Sequence, residues 1–168
     1  SVVYKARHLD LDMPVAVKMM RHDLVLETEF YENFRNEAAT IASLRHDNIL
    51  RVYDFEEKFK TLFIIMEYIE GQSLADQLAR TDPLCPETAA KYLVQICDGL
   101  GYAHTRNIIH RDINPLNIFV QADGRLKILD FGLACPVGTE TYEFFGQMHY
   151  NAPEQILGDP VDPRTDIY

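Results

Sequence analysis

The chain of 168 residues has no tryptophan, only three cysteines and comparatively few basic residues. Lys and Arg number 16 against 26 Asp and Glu, which gives a net charge of −10 at pH 7. Nucleic-acid-binding surfaces are basic, so this balance argues against nucleic-acid binding and against a polybasic membrane surface. The longest purely apolar run, residues 62–66, is far too short to span a bilayer, and no signal peptide opens the chain. We therefore expect this segment to be cytoplasmic and to make no membrane contact of its own.

The remaining composition is typical of a globular protein that buries a core. Hydrophobic residues make up 47% and charged residues 25% of the chain. The three cysteines, Cys85, Cys97 and Cys135, are odd in number and lack the spacing of a metal site. We expect them to be reduced thiols.

Hydrophobic periodicity predicts an α+β chain with a β-rich first third and a mainly helical remainder. The predicted elements of the first third are strands over 2–7, 13–20, 50–57 and 61–67 and a helix over 27–45. Gly71 is expected to break the last strand, and Ser73 to cap a short helix. Pro86 suits the first turn of a longer helix. The apolar face predicted for that helix consists of Ala89, Leu93, Ile96, Leu100 and Ala103.

Asp123-Gly124 predicts a two-residue hairpin turn between strands over 117–121 and 125–129. Such a turn pairs Ala122 with Arg125, and the same register places Asn117 opposite Asp130. Their side-chain oxygens are ligands of the kind that Mg²⁺ prefers. The pattern therefore predicts a cation site at the open end of this hairpin.

Two charged residues of the first third stand in apolar patterns. Lys18 follows Val15-Ala16-Val17 in an alternating strand, and Glu37 falls within an apolar helical stripe. A carboxylate on a buried stripe needs a partner, and Lys18 is a candidate. The alternatives left open are a lysine on an edge strand and a glutamate that reaches solvent. Further along, Asp112 is followed five residues later by Asn117, so one loop can supply a base and a metal ligand.

Together these segments resemble the eukaryotic-like protein kinase family, and the compact loops resemble its bacterial serine/threonine branch. The resemblance rests on five motifs in family order. They are Val15-Ala16-Val17-Lys18, Glu37, the stretch His110-Arg111-Asp112-Ile113-Asn114-Pro115-Leu116-Asn117, Asp130-Phe131-Gly132, and Ala152-Pro153-Glu154. The resemblance implies a two-lobed kinase fold that is truncated here. Its small lobe is an antiparallel sheet with one helix, and its helical large lobe is incomplete.

The resemblance also implies roles for individual residues. Lys18, oriented by Glu37, would hold the ATP phosphates; Asn117 and Asp130 would bind Mg²⁺, or Mn²⁺ in its place; Asp112 would accept the proton of the substrate hydroxyl. Asp166 would anchor the backbone of residues 110–117, which match the family's catalytic loop. The residues implied for adenine are Val3, Ala16, Met66, Glu67, Ile69 and Phe119. His110 and Phe131 would belong to the apolar stack that aligns the lobes.

This sequence departs from the family pattern at three places. Most of the glycine-rich loop is absent, since Ser1 stands at the position of its third glycine. Asn114 stands where serine/threonine kinases usually carry a lysine that contacts the transferred phosphate. Gln147 stands where they usually carry a threonine that contacts this lysine. We hypothesise that Asn114 and Gln147 hydrogen-bond to each other in replacement.

The predicted organisation is a partial catalytic domain over 1–168. Residues 1–67 form the small lobe, 68–72 the hinge, and 73–168 the first part of the large lobe, ending at the start of its central helix. The predicted function is ATP-dependent phosphorylation of Ser or Thr in proteins, so ATP and a protein substrate are the expected partners. The alternatives are a pseudokinase-like nucleotide-binding regulatory module and a small-molecule phosphotransferase of related fold. We expect the isolated segment to be inactive. A membrane anchor or dimerisation of the parent protein is left open.

Overall fold

The computed structural model describes residues 2–19, 41–58, 61–80, 83–131, 135–139 and 148–168. The chain divides into two compact units. The first comprises Ser1–Arg45 and Leu50–Ile69, and the second comprises His46–Ile49 and Glu70–Tyr168. The division after Ile69 falls within the segment 68–72. The short segment His46–Ile49 belongs to the second unit, although it lies within the first third of the sequence.

The first unit contains a four-stranded antiparallel sheet in the order β1-β2-β4-β3. Its strands are β1 (Val2–His8), β2 (Met13–Met19), β3 (Val52–Lys58) and β4 (Thr61–Glu67). All four were predicted, β4 with the same bounds and the others with ends that differ by one or two residues. Residues 41–43 are helical, in agreement with the end of the helix predicted over 27–45. The earlier part of that helix, including Glu37, lies outside the described residues.

The second unit contains helices α1 (Leu74–Arg80), α2 (Pro86–His104) and α3 (Pro153–Leu157), and 3₁₀ turns at Met148–Tyr150 and Pro163–Asp166. The Ser73 hydroxyl accepts the backbone N–H of Asp76 at 3.0 Å, as an N-cap should, which confirms the predicted cap. Pro86 opens α2 as predicted, because the first helical position needs no N–H donor.

The apolar face predicted for α2 is wrong at one residue. The buried residues of this helix are Tyr92, Gly99, Leu100 and Ala103, whereas Leu93 is 60% exposed. A helical stripe that contains Ala89 and Leu100 differs by only a fraction of a turn from one that contains Tyr92 and Gly99. Packing of the helix on its neighbours selected the second stripe.

No helix in the described ranges has both the length and the apolar character needed to cross a membrane.

Two small sheets complete the second unit. The three-stranded sheet has the order β5-β7-β8, with β5 (Gly71–Ser73), β7 (Ile118–Gln121) and β8 (Leu126–Ile128). The other pairs β6 (Ile108–Ile109) with β9 (Cys135–Pro136). Gly71 has a φ of 155°, and a Cβ atom there would lie 2.1 Å from the carbonyl oxygen of Val120. Only glycine therefore lets β5 approach β7 this closely.

The predicted two-residue hairpin turn is wrong by one residue. Ile118 pairs with Ile128 and Val120 with Leu126, which leaves a three-residue loop at 122–124. Gly124 has a φ of 82°, as expected for the left-handed residue that closes such a loop. One consequence is that Asn117 lies opposite Leu129, whose N–H it accepts at 2.8 Å, and not opposite Asp130. Backbone register alone therefore does not place the two predicted cation ligands side by side.

Candidate active site

The structure distributes the predicted site residues over both units. Those in the first unit are Val3, Ala16, Lys18, Met66, Glu67 and Ile69, and those in the second are Asp112, Asn117, Phe119 and Asp130. Glu37, Gly132 and Gln147 lie outside the described residues, so the Lys18–Glu37 pair and the Asn114–Gln147 contact stay predictions.

The sheet register gathers the first-unit residues on one face. Val3 pairs with Lys18 across β1 and β2, and Ala16 pairs with Met66 across β2 and β4. Directly paired residues, and residues two apart in a strand, point to the same side of a sheet. Val3, Ala16, Lys18 and Met66 therefore share one face, where a flat apolar ring can lie next to an ammonium group.

Glu67 and Ile69 differ from these residues because their predicted contribution comes from the backbone. The N–H of Glu67 already donates to the carbonyl oxygen of Arg51 at 2.8 Å. Any backbone hydrogen bond from Glu67 to an adenine ring must therefore use its carbonyl oxygen.

In the second unit, two amide side chains hold the Asp112 carboxylate. Asn114 Nδ2 donates to Oδ1 at 2.9 Å, and Asn117 Nδ2 donates to Oδ2 at 2.7 Å. Both amides also donate to the backbone carbonyl of Asp112, at 3.1 and 2.9 Å. A carboxylate oxygen has more than one lone pair, so Asp112 can still accept another proton donor. Its position and orientation suit a general base.

His110 links the segment that carries Asp112 to the segment that carries Asp130. Its imidazole is completely buried, with Nε2 2.8 Å from the carbonyl oxygen of Leu129 and Nδ1 3.2 Å from the backbone nitrogen of Asp112. Because a carbonyl only accepts and an N–H only donates, Nε2 carries the proton and Nδ1 accepts. The ring also packs edge-on against Phe131, with centroids 4.5 Å apart. This contact confirms that His110 and Phe131 stack together.

Asp166 anchors the catalytic loop, as the resemblance implied. Its buried carboxylate accepts the backbone N–H groups of His110 at 2.9 Å and Arg111 at 2.8 Å. His104 Nε2 lies 2.7 Å from the same carboxylate. These contacts hold Arg111 at a φ of 67°, a conformation that residues other than glycine adopt uncommonly.

Asn117 and Asp130 fit a magnesium ion by their chemistry. Asn117 gives both amide hydrogens to acceptor atoms of Asp112, so its carbonyl oxygen is the atom it can offer to a cation. Asp130 is exposed and has a φ of 57°, just after the end of β8. Two oxygen ligands suit Mg²⁺, which takes few protein ligands and completes its shell with water and phosphate. Among the described residues, no group of three or more His, Cys, Asp or Glu side chains could form a fuller metal cage.

Gln155 was not among the predicted site residues. Its Oε1 accepts the N–H of Ala152 at 3.1 Å, and its Nε2 donates to the carbonyl oxygen of Arg111 at 2.9 Å. A glutamine three residues into a helix often caps it, and this spacing was the one available signal. The contact with Arg111, 44 residues earlier, leaves no local pattern.

A second missed network supports the strand that leads to Asp130. Gln95 on α2 accepts the N–H of Leu126 at 2.9 Å and the side-chain amide of Asn48 at 3.1 Å. Asn48 in turn donates to the carbonyl oxygen of Leu126 at 3.1 Å, and its own carbonyl accepts the N–H of Ile128 at 2.8 Å. Two distant side chains thus fix the strand β8.

The sequence of this chain matches a known protein family. The family described as the protein kinase domain matches residues 1–168, which is the whole chain. The chain is therefore a member of the protein kinase family, and the predicted fold class, an α+β kinase fold that is only partly present, is confirmed.

Bacterial relatives share this sequence from end to end. The serine/threonine-protein kinase PrkC of Bacillus subtilis is 38% identical over 170 residues, which cover 99% of this chain and 26% of the relative. The serine/threonine-protein kinase PknB of Mycobacterium leprae is 38% identical over 177 residues, which cover 100% and 28%. PknB of Mycolicibacterium smegmatis is 37% identical over 178 residues, with the same coverage. The chain thus spans roughly a quarter of the length of these relatives.

Proposed function

We propose that this chain is part of a protein serine/threonine kinase that transfers the γ-phosphoryl group of ATP to Ser or Thr hydroxyls. Relatives named as serine/threonine-protein kinases support the substrate class. The observation that carries the proposal is the Asp112 carboxylate held by two amides. His110 links this loop to Leu129, the residue before the metal-binding candidate Asp130.

In the proposed reaction the substrate hydroxyl oxygen bonds to the γ-phosphorus, and the bond from that phosphorus to the bridging oxygen of ADP breaks. Asp112 orients the hydroxyl and accepts its proton, so ADP and a phosphorylated side chain are the products. Lys18 pairs with the phosphates, with Glu37 as its orienting partner. Bound Mg²⁺, held through Asn117 and Asp130, would neutralise phosphate charge.

The residues that would contact the adenine ring of ATP are those that the family resemblance implies. Val3, Ala16, Met66 and Phe119 supply apolar contacts to adenine, and the backbone of Glu67 and Ile69 supplies hydrogen bonds. The division into a small lobe over 1–67, a hinge over 68–72 and a partial large lobe over 73–168 is part of the same proposal. The cytoplasmic location stays a prediction.

The test uses the full open reading frame that contains this chain. Transfer of labelled γ-phosphate to a generic basic protein is measured beside binding of Mg-ATP, for the unchanged protein and for Asp112→Ala and Asp130→Asn. We expect both variants to lose transfer, and Asp112→Ala to keep nucleotide binding. Asp123→Asn, which changes an exposed carboxylate in the hairpin loop, is the matched control and should keep both.

Two results would contradict the proposal. Binding of Mg-ATP without transfer by the unchanged protein would indicate a regulatory module. Transfer that survives in Asp112→Ala would show that another group accepts the proton.

A further inference from the structure

We propose that Asn114 is a positioning residue for Asp112: it orients the carboxylate by hydrogen bonding and supplies no charge to the phosphate. This inference rests on the proposed function, because it concerns the residue assigned as its base. It gives a role to the position at which the sequence departs from the lysine usual in serine/threonine kinases.

The contacts of Asn114 are fully determined by its surroundings. The side chain is only 4% exposed. Its Nδ2 faces two atoms of Asp112, the carbonyl oxygen and Oδ1, which both accept, while its Oδ1 accepts the backbone N–H of Leu116 at 2.9 Å. Exchange of the amide oxygen and nitrogen would set acceptors against acceptors, so the orientation is required.

These contacts use every donor that Asn114 has. An amide nitrogen carries two hydrogens, and both point to Asp112. No hydrogen is left for a phosphate oxygen, so the residue at this position acts on the base and not on the group that is transferred.

Asn114 and Asn117 together restrain both oxygens of the carboxylate. One donor alone would let the group rotate about a single hydrogen bond, whereas donors to Oδ1 and Oδ2 fix its plane. A base must meet the substrate hydroxyl within hydrogen-bond reach, and a misplacement of about 1 Å can reduce a rate on the order of 100-fold. The second donor therefore contributes to the rate of proton transfer.

A competing explanation is that Asn114 only stabilises the turn through Leu116. The substitution Asn114→Asp separates the two roles. Aspartate keeps the oxygen that accepts the Leu116 N–H, but it replaces the donor to Asp112 with a second carboxylate oxygen. Two carboxylates at this distance share one proton, which raises the apparent pKa of one member of the pair.

The activity of Asn114→Asp should depend on pH, because the shared proton supplies the donor to Asp112. Below that raised pKa, the protonated carboxyl group at 114 donates to Asp112, as asparagine does, and the enzyme works. Above it, both groups are charged and repel, so Asp112 is displaced. We expect kcat of Asn114→Asp to fall relative to the unchanged enzyme as pH rises from 5 to 8, by about 100-fold at the upper end. The KM for ATP should stay within about twofold, because ground-state binding is unaffected.

Two further variants complete the experiment. Asn107→Asp makes the same charge change at an exposed turn residue with a φ of 59° and should follow the unchanged enzyme at every pH. Asn114→Ser can still accept from Leu116 but is too short to donate to the carboxylate of Asp112. We expect it to fold, and to lose kcat to the same extent at every pH. It also provides the test if Asn114→Asp does not fold.

All measurements use the full-length protein, and NMR titration of the side-chain carboxyl carbons at 112 and 114 gives a readout that does not depend on transfer. A kcat loss in Asn114→Asp that does not vary with pH, an unaltered kcat in Asn114→Ser, or independent titration of the two carboxyl groups would each overturn the proposal. Absence of transfer in the unchanged protein, together with a coupled titration, would instead contradict the kinase function and leave the positioning contact established.

Discussion

The side-chain nitrogen of Gln155 donates a hydrogen bond of 2.9 Å to the carbonyl oxygen of Arg111. The N–H of the same Arg111 donates to Asp166. The peptide groups on both sides of Arg111, a residue of positive φ, are therefore held by the side chains of Gln155 and Asp166. The residue that follows is Asp112, so these contacts determine where the proposed base lies.

Gln155→Glu is expected to loosen this part of the catalytic loop. Glutamate keeps the oxygen that caps Ala152, but it sets an acceptor against the carbonyl of Arg111. Loss of a partner for a buried polar group costs about 1–3 kcal/mol. Hydrogen exchange at the amide of Asp112 should become faster and kcat should fall, whereas exchange within α3 should change little. Equal exchange at Asp112 in both proteins would show that the contact is dispensable.

Asp166→Asn is expected to destabilise the second unit. An amide keeps one acceptor oxygen but turns an NH₂ group toward a backbone N–H of His110 or Arg111, so one buried donor loses its partner. We expect a loss of about 1–3 kcal/mol in the free energy of unfolding, measured by urea denaturation. Asp159→Asn, the same change at an exposed residue, should leave the transition in place. Coincident transitions for all three proteins would contradict this anchoring role.

Two glycines of the second unit should respond to alanine in opposite directions. At Gly71 the added Cβ would collide with the carbonyl oxygen of Val120, so Gly71→Ala should lower stability by about 1–3 kcal/mol. At Gly101, inside α2, a Cβ meets no atom within 4 Å. Gly101→Ala should therefore raise stability by about 0.5–1 kcal/mol, because alanine favours helix. Thermal unfolding of the two variants gives the test, and shifts of the same sign would refute it.

Asp162 should contribute stability that depends on pH. Hydrogen bonds from the Arg164 side chain, and next from its backbone N–H, lower the pKa of this carboxyl from 3.8 to about 2. A depressed folded-state pKa stabilises the protein above the unfolded pKa, and the effect disappears as pH falls from about 4 towards 2. The stability difference between the unchanged protein and Asp162→Asn should shrink over that window. Asp159→Asn removes a charge at an exposed carboxylate nearby and is the matched control.

Local chemistry made much of this fold predictable. Alternation predicted β2, β-rich composition predicted β1, and a hairpin pattern predicted β3 and β4. Ser73 and Pro86 predicted the starts of α1 and α2. Each of these signals acts over a few residues, because strand pleating and helix caps are satisfied by near neighbours. The hairpin loop was misjudged by one residue, since Asp-Gly suits both a two-residue turn and the end of a three-residue loop. Because of this difference of one residue, Asn117 lies opposite Leu129 and not opposite Asp130, as the predicted register had it.

The sequence by itself determined the protein kinase family, through five ordered motifs, and the identity of the charged and amide residues of the site. Tertiary structure alone decided that Gln155 pairs with the carbonyl oxygen of Arg111 and that Gln95 pairs with β8. Gln155 reaches its partner across 44 residues and Gln95 across 31. Such partners are chosen by packing, because a buried donor or acceptor must be paired wherever the chain brings a complementary group, and no local pattern records that choice.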